Sequence, residues 1–241
     1  MMRPLLPLAL LASGFCFAQQ DRPEKLSIHT WVREDIFAGW MANDLDRFEK
    51  GVAKLDRELN ARPDSAPAMA WRAGGELYQA VRAHEAGNAA EFQTRYAKAT
   101  ELFNRAYALA PKDDGVLAVT AGSHLLFADR LPAPRTADAW KVANTRFTEL
   151  ADSQAQMIDK LPLHMRGELL SGVAMSAQRT GDMARANTWL AKIVKDLPGT
   201  PYETRAQKWI EKPELAAKSS LACQTCHDPG RLKNRLAAAA K

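Results

Sequence analysis

Gln178-Arg179-Thr180-Gly181-Asp182-Met183-Ala184-Arg185-Ala186 decides how the chain is read. Upstream, Glu168 to Arg179 carries apolar residues at helical spacing, including Leu170 and Ala174. Downstream, Met183 to Asp196 does the same through Ala186 and Leu190. Thr180-Gly181-Asp182 separates them as a polar turn, and Pro198-Gly199 closes the second helix. Proline lacks the N–H that a continuing helix needs and disfavours helical geometry at the residue before it.

The same unit recurs towards the N-terminus. Val116 to Ala128 leads through Leu131-Pro132-Ala133-Pro134 into a helix from about Ala137 to Lys160, closed by Pro162. Trp71 to His84 leads through Ala86-Gly87-Asn88 into a long helix that stops at Ala110-Pro111. Ile36 to Ala42 leads through Asn43-Asp44 into Leu45 to Ala61, stopped by Arg62-Pro63. No segment alternates apolar and polar residues over six or more positions, so strand signals are nearly absent. Alanine, leucine, glutamate, lysine and arginine, all helix formers, dominate these stretches. The expected class is all-α.

On these residues the chain resembles the tetratricopeptide repeats, helix–turn–helix units of about 34 residues with a proline near the end. Leu170, Ala174, Thr180-Gly181-Asp182, Ala186, Leu190 and Pro198 carry the resemblance best. Gly39, Asn43-Asp44, Gly51, Leu55 and Pro63 carry it more loosely. The Pro63–Pro111 and Pro111–Pro162 intervals are longer than one repeat, so the middle units depart from the family. The resemblance implies a helical solenoid over residues 32–211 whose concave face holds a protein partner. A non-repetitive helical bundle is the alternative. Phe37, Trp40, Phe48, Trp71, Phe103, Trp140, Phe147 and Trp189 are expected in its core.

Met1-Met2-Arg3, the apolar run Pro4 to Ala12, and Cys16-Phe17-Ala18 read as a secretory signal peptide over residues 1–18, cleaved near Ala18. The run is shorter than the roughly 20 apolar residues that span a bilayer, and no second such run follows. The expected location is therefore the periplasm or another exported compartment, with no integral membrane span. Residues 19–31 form an N-terminal segment. The net charge of +5 is interleaved with acids, as in Asp44 to Lys50, which reads as a solvated surface and not as a nucleic-acid footprint.

Cys16 leaves with the signal, so only Cys223 and Cys226 remain in the mature chain. They stand in Cys223-Gln224-Thr225-Cys226-His227, within a linker and tail spanning residues 212–241. Cys-x-x-Cys-His is the attachment signature of c-type haem. Two thiols add across the two vinyl groups of the porphyrin, and the adjacent histidine is placed to ligate iron. Cys223 and Cys226 are thus read as the covalent attachment points of one haem c, and His227 as its proximal axial ligand. Attachment after export agrees with the signal peptide.

Three other readings of the motif stay open. A zinc site needs a fourth ligand that the tail does not supply, a thiol redox pair needs a strand–motif–helix context, and a plain disulfide leaves His227 unexplained. The C-terminal position resembles the cytochrome c-prime family over Cys223 to Arg231, although Asp228-Pro229-Gly230 breaks the helix that family would continue. No His or Met follows His227, so a sixth ligand would come from the scaffold or from another chain. His29, His84, His124, His164, Met165, Met175 and Met183 are the candidates. No catalytic Ser-His-Asp grouping, phosphate loop or His-Glu-x-x-His run is present.

The expected function is an exported haem protein joining a protein-binding helical scaffold to a one-haem electron-transfer site, with a redox partner protein. An interaction scaffold whose haem is structural or sensory, and a haem enzyme or ligand binder, are the alternatives.

Overall fold

The computed structural model describes Arg22 and residues 26–221. The expected signal peptide over residues 1–18 and the Cys223–His227 stretch read as a haem-attachment motif lie outside the described residues. Within them the chain is all-α, with nine α-helices, three short 3-10 segments and no strand. The helices are α1 (Ile28–Ala42), α2 (Leu45–Ala61), α3 (Ala66–Glu85), α4 (Ala89–Leu109), α5 (Asp114–Phe127), α6 (Arg135–Ser153), α7 (Leu163–Arg179), α8 (Met183–Asp196) and α9 (Pro201–Glu211).

Three helical hairpins turn by the same local device. The α1–α2, α3–α4 and α7–α8 connections each place one residue in the left-handed region: Asn43 at φ 54°, Gly87 at φ 75° and Gly181 at φ 89°. Glycine and asparagine tolerate that region best. The next residue is Asp44, Asn88 or Asp182, and its side chain accepts a backbone N–H at 3.1, 3.1 and 3.0 Å respectively. An oxygen at that position satisfies an amide that the helix start leaves unpaired.

Helix α1 begins at Ile28, not the expected Ile36, so the helical region reaches into the expected N-terminal segment. Helix α7 begins at Leu163, not Glu168; two further ends differ for identifiable reasons. Helix α3 begins at Ala66, before the expected Trp71, because Pro67 sits in its first turn, where the missing N–H costs nothing. Helix α6 stops at Ser153 and a 3-10 turn covers Ile158–Lys160, where one helix to Lys160 was expected. Ser153 Oγ donates to Asp114 Oδ1 at 2.5 Å, and the Gln154 amide donates to Asp114 Oδ2. These side-chain bonds to the start of α5 compete with helix continuation.

Each helix packs on its hairpin mate: α1 on α2, α3 on α4, α5 on α6 and α7 on α8. The first helices also touch in succession, α1 to α3, α3 to α5 and α5 to α7. Between α1 and α2, glycines set the approach. A Cβ on Gly39 would lie 2.7 Å from Phe48 Cβ, and one on Gly51 would lie 2.9 Å from Ile36 Cδ1. Each glycine thus receives a large side chain from the partner helix.

Six of the eight expected core aromatics are buried, and Phe37 and Trp189 are partly buried against the same core. Trp40 meets Phe127 edge to face at 5.3 Å and lies 5.9 Å from Trp71, which joins α1, α3 and α5. Phe48 meets Tyr78 at 5.1 Å, and Tyr78 Oη donates to the Gly39 carbonyl at 2.9 Å.

The start of the region expected as a linker is anchored at two points, the buried Ala216 and Leu221, while Ala217, Lys218 and Ser219 between them are exposed. A 3-10 turn at Pro213–Ala217 lies against α7 and α9. Trp209 Nε1 donates to Ser219 Oγ at 2.9 Å, and Leu221 is 1% exposed. Truncation after Leu221 is therefore expected to leave the thermal midpoint of the chain, produced without added cofactor, unchanged. Truncation after Glu211 removes Leu221 and is expected to cost about 2–3 kcal/mol, or roughly 4–12 °C. Thermal melts followed by circular dichroism check both, and equal midpoints would show that the segment contributes nothing.

Candidate functional site

Cys223, Cys226 and His227 lie outside the described residues, but the chain leading to them is seated. The Leu221 carbonyl accepts from Arg205 Nη1 on α9 at 3.4 Å. Ser220 Oγ lies 3.6 Å from Met175 Sδ on α7, within hydrogen-bond range for sulfur. Apolar burial of Ala216 and Leu221 drives this docking, because the segment leaves few other apolar groups to cover.

The candidate sixth ligands separate into two groups. Met175 lies in α7, 3% exposed, and touches the docked segment. His164 and Met165 lie in the first turn of the same helix, where Met165 is exposed. His164 Nδ1 lies 3.2 Å from Tyr202 Oη, and that hydroxyl donates to Glu168 Oε1 at 2.8 Å. The phenol proton is thus committed to the carboxylate, so Nδ1 donates to the phenol oxygen. Met183 is an exposed residue at the start of α8.

His29, His84 and His124 belong to α1, α3 and α5 and contact other groups. His29 Nδ1 accepts from Trp71 Nε1 at 2.8 Å. Burial holds the His29 imidazole below its usual range; Asp113 pulls the other way and Arg33 adds to the lowering. The His84 ring packs 5.6 Å from Phe92. The His124 imidazole is pushed down to about 4, first by burial and further by Arg146, against the upward pull of its bond to the Thr120 carbonyl.

Sequence reasoning missed two polar arrangements. Glu76 is fully buried between α3 and α4, with Arg72 Nη1 at 2.7 Å, Lys98 Nζ at 2.8 Å and Arg95 Nη1 at 3.1 Å. Burial alone would raise its carboxyl; the Lys98, Arg72 and Arg95 cations outweigh that and hold it below the usual carboxylate range. Only the Arg72–Glu76 spacing of four residues hinted at this group. The second arrangement is a cleft of about 610 Å³ between α4, α5 and α6, with Thr120 and His124 among its lining residues.

Among the described residues no cluster of His, Cys, Asp and Glu forms a metal-holding group, and no helix is long and apolar enough to cross a membrane. Compared with protein-family models, curated proteins and solved structures, the chain matches none of them.

Proposed function

We propose that this chain is an exported c-type haem protein in which a tetratricopeptide-like scaffold engages a protein partner and the tail forms a one-haem electron-transfer site. The observation that carries the reading is Cys223-Gln224-Thr225-Cys226-His227, two residues beyond the buried Leu221. The donor set fits haem c: two thiols suit the two vinyl groups, and an imidazole beside the second suits the iron. Bound haem would supply a one-electron couple. The chain's part is to tether that group covalently through Cys223 and Cys226, ligate it through His227, and hold the tether against α7 and α9.

Two further features support the scaffold half. The repeat positions Leu170, Ala174, Ala186 and Leu190 are all buried, as the tetratricopeptide resemblance requires. The first helices α1, α3, α5 and α7 touch in order, the arrangement expected when hairpins stack in one direction. Their shared face is the surface proposed for the protein partner. Residues 1–18 as a leader cleaved near Ala18, and a periplasmic location, complete the reading.

The test is expression with its leader in a host that has haem-maturation machinery. The expected product is red, keeps its haem through acid–acetone extraction, and gives a low-spin ferric electron-paramagnetic signal as the isolated monomer. Such a signal would mean that His227 and a scaffold His or Met both ligate the iron, which would favour electron transfer. A colourless product holding stoichiometric zinc would overturn the haem assignment. A purely high-spin ferric signal with rapid carbon monoxide binding after reduction would overturn electron transfer as the primary role.

A further inference from the structure

We propose that the cleft between α4, α5 and α6 binds a small neutral aromatic molecule bearing a hydroxyl group, of the phenol class. The cleft arises because α4 packs closely on α3 and only lightly on α5, so the second and third hairpins diverge. Its volume, about 610 Å³, falls in the range of small-molecule sites. Tyr96 and Phe103 of α4 and Ala139 and Val142 of α6 provide aromatic and aliphatic lining.

The polar requirement comes from α5. Thr120 is 3% exposed, and its Oγ1 is buried with no hydrogen-bond partner. Buried hydroxyls are normally paired, so this one calls for a partner delivered from the cleft. One turn on, His124 Nδ1 lies 2.8 Å from the Thr120 carbonyl. A carbonyl only accepts, so Nδ1 carries the proton and Nε2 is left as an acceptor. Thr120 and His124 together offer a free hydroxyl and an acceptor nitrogen. A ligand hydroxyl satisfies both, donating to the imidazole and accepting from the threonine.

The charges on the walls argue against an anion. Arg146 Nη1 reaches both oxygens of Glu149, at 2.8 and 2.9 Å, and its guanidinium stacks 3.5 Å from the Tyr107 ring centre. Arg135 lies 5.0 Å from the Tyr96 ring centre with Asp138 at 3.7 Å. Both cations already have carboxylate and aromatic partners. The aromatic preference follows from Tyr96 and from the Phe103 and His124 rings, 4.7 Å apart.

Titration calorimetry on the full chain tests the proposal with 4-ethylphenol as probe and 4-ethylanisole, which lacks the donor, as comparator. The phenol is expected to bind one to one and the ether about tenfold more weakly, as one lost hydrogen bond implies. His124→Phe is expected to weaken phenol binding about tenfold while leaving ether binding unchanged, whereas Thr120→Val is expected to weaken both about tenfold, because the ether oxygen still accepts from the threonine hydroxyl. Thermal melts of both variants verify folding, and a shift of the His124 Nε2 resonance on phenol addition reports contact directly. Failure of the phenol to saturate at millimolar concentration, equal affinity for the ether, or unchanged affinity in the folded Thr120→Val protein would each overturn it.

Discussion

Replacing Cys223 and Cys226 together by alanine is expected to remove all haem that survives acid–acetone extraction. Each attachment forms when a thiol adds across a vinyl group: sulfur bonds one carbon, and the thiol hydrogen goes to the other. Without either thiol no covalent tether forms, and His227 alone leaves any haem extractable. Each single variant keeps one possible attachment and is expected to retain part of the resistant haem. The scaffold itself should be indifferent to the change, because the buried core runs through Leu221 and both cysteines lie beyond it. A pyridine haemochrome assay after extraction, paired with a far-ultraviolet spectrum, separates lost attachment from lost folding. Resistant haem in the double variant would overturn the attachment assignment.

Glu76→Ala is expected to destabilise the chain by about 3–5 kcal/mol, roughly 6–20 °C in thermal midpoint, because it strands buried positive charge. Arg72 is only 10% exposed and has Glu76 at 2.7 Å, so its guanidinium loses its one fully buried counter-charge. Arg95 and Lys98 are 33% and 50% exposed and recover part of their hydration. Asp56→Ala removes the other partner of Arg72 but from a half-exposed position, and is expected to cost under about 1 kcal/mol. That contrast distinguishes loss of a buried counter-ion from loss of any neighbour of Arg72.

The pH dependence has a definite sign. Glu76 has a folded value held below 4.5, so its stabilisation is fully present above about pH 4.5 and is lost as pH falls through the folded value. Glu76→Gln should therefore flatten the acid limb of the stability curve below that pH while lowering stability at neutrality. Acid denaturation curves check this, and parallel limbs for wild type and Glu76→Gln would contradict it.

Much of the helical architecture was legible because its signals are local. The helices over Leu45–Ala61 and Met183–Asp196 match the expected spans, since a left-handed residue and a capping Asp open each one and a proline follows each. Gly39 and Gly51 were legible only as repeat positions; that they admit Phe48 and Ile36 of the partner helix is seen once α1 and α2 are packed. The end of α6 was not legible: Asp114, which bonds Ser153 and Gln154 at that end, lies about forty positions away in sequence and meets them only once the third hairpin closes. The expected linker begins with small and polar residues, and its anchoring through Ala216 and Leu221 depends on Trp209 and α7 being present to receive it.

For the proposed haem attachment only the sequence speaks, since Cys223, Cys226 and His227 lie outside the described residues. The proposed group needs two thiols for attachment and an imidazole for the iron, and Cys223, Cys226 and His227 have that spacing whatever the fold. The ionic group at Glu76 and the cleft over Thr120 and His124 belong to the tertiary structure. Arg72 and Glu76 are neighbours on one helix, but Arg95 and Lys98 reach the carboxylate only because α4 folds back along α3. Thr120 and His124 are one turn apart on any helix, yet the cleft above them exists only because α4 and α6 diverge. Chemistry written into adjacent residues is set by covalent spacing; chemistry shared between helices is set by which faces the packing brings together.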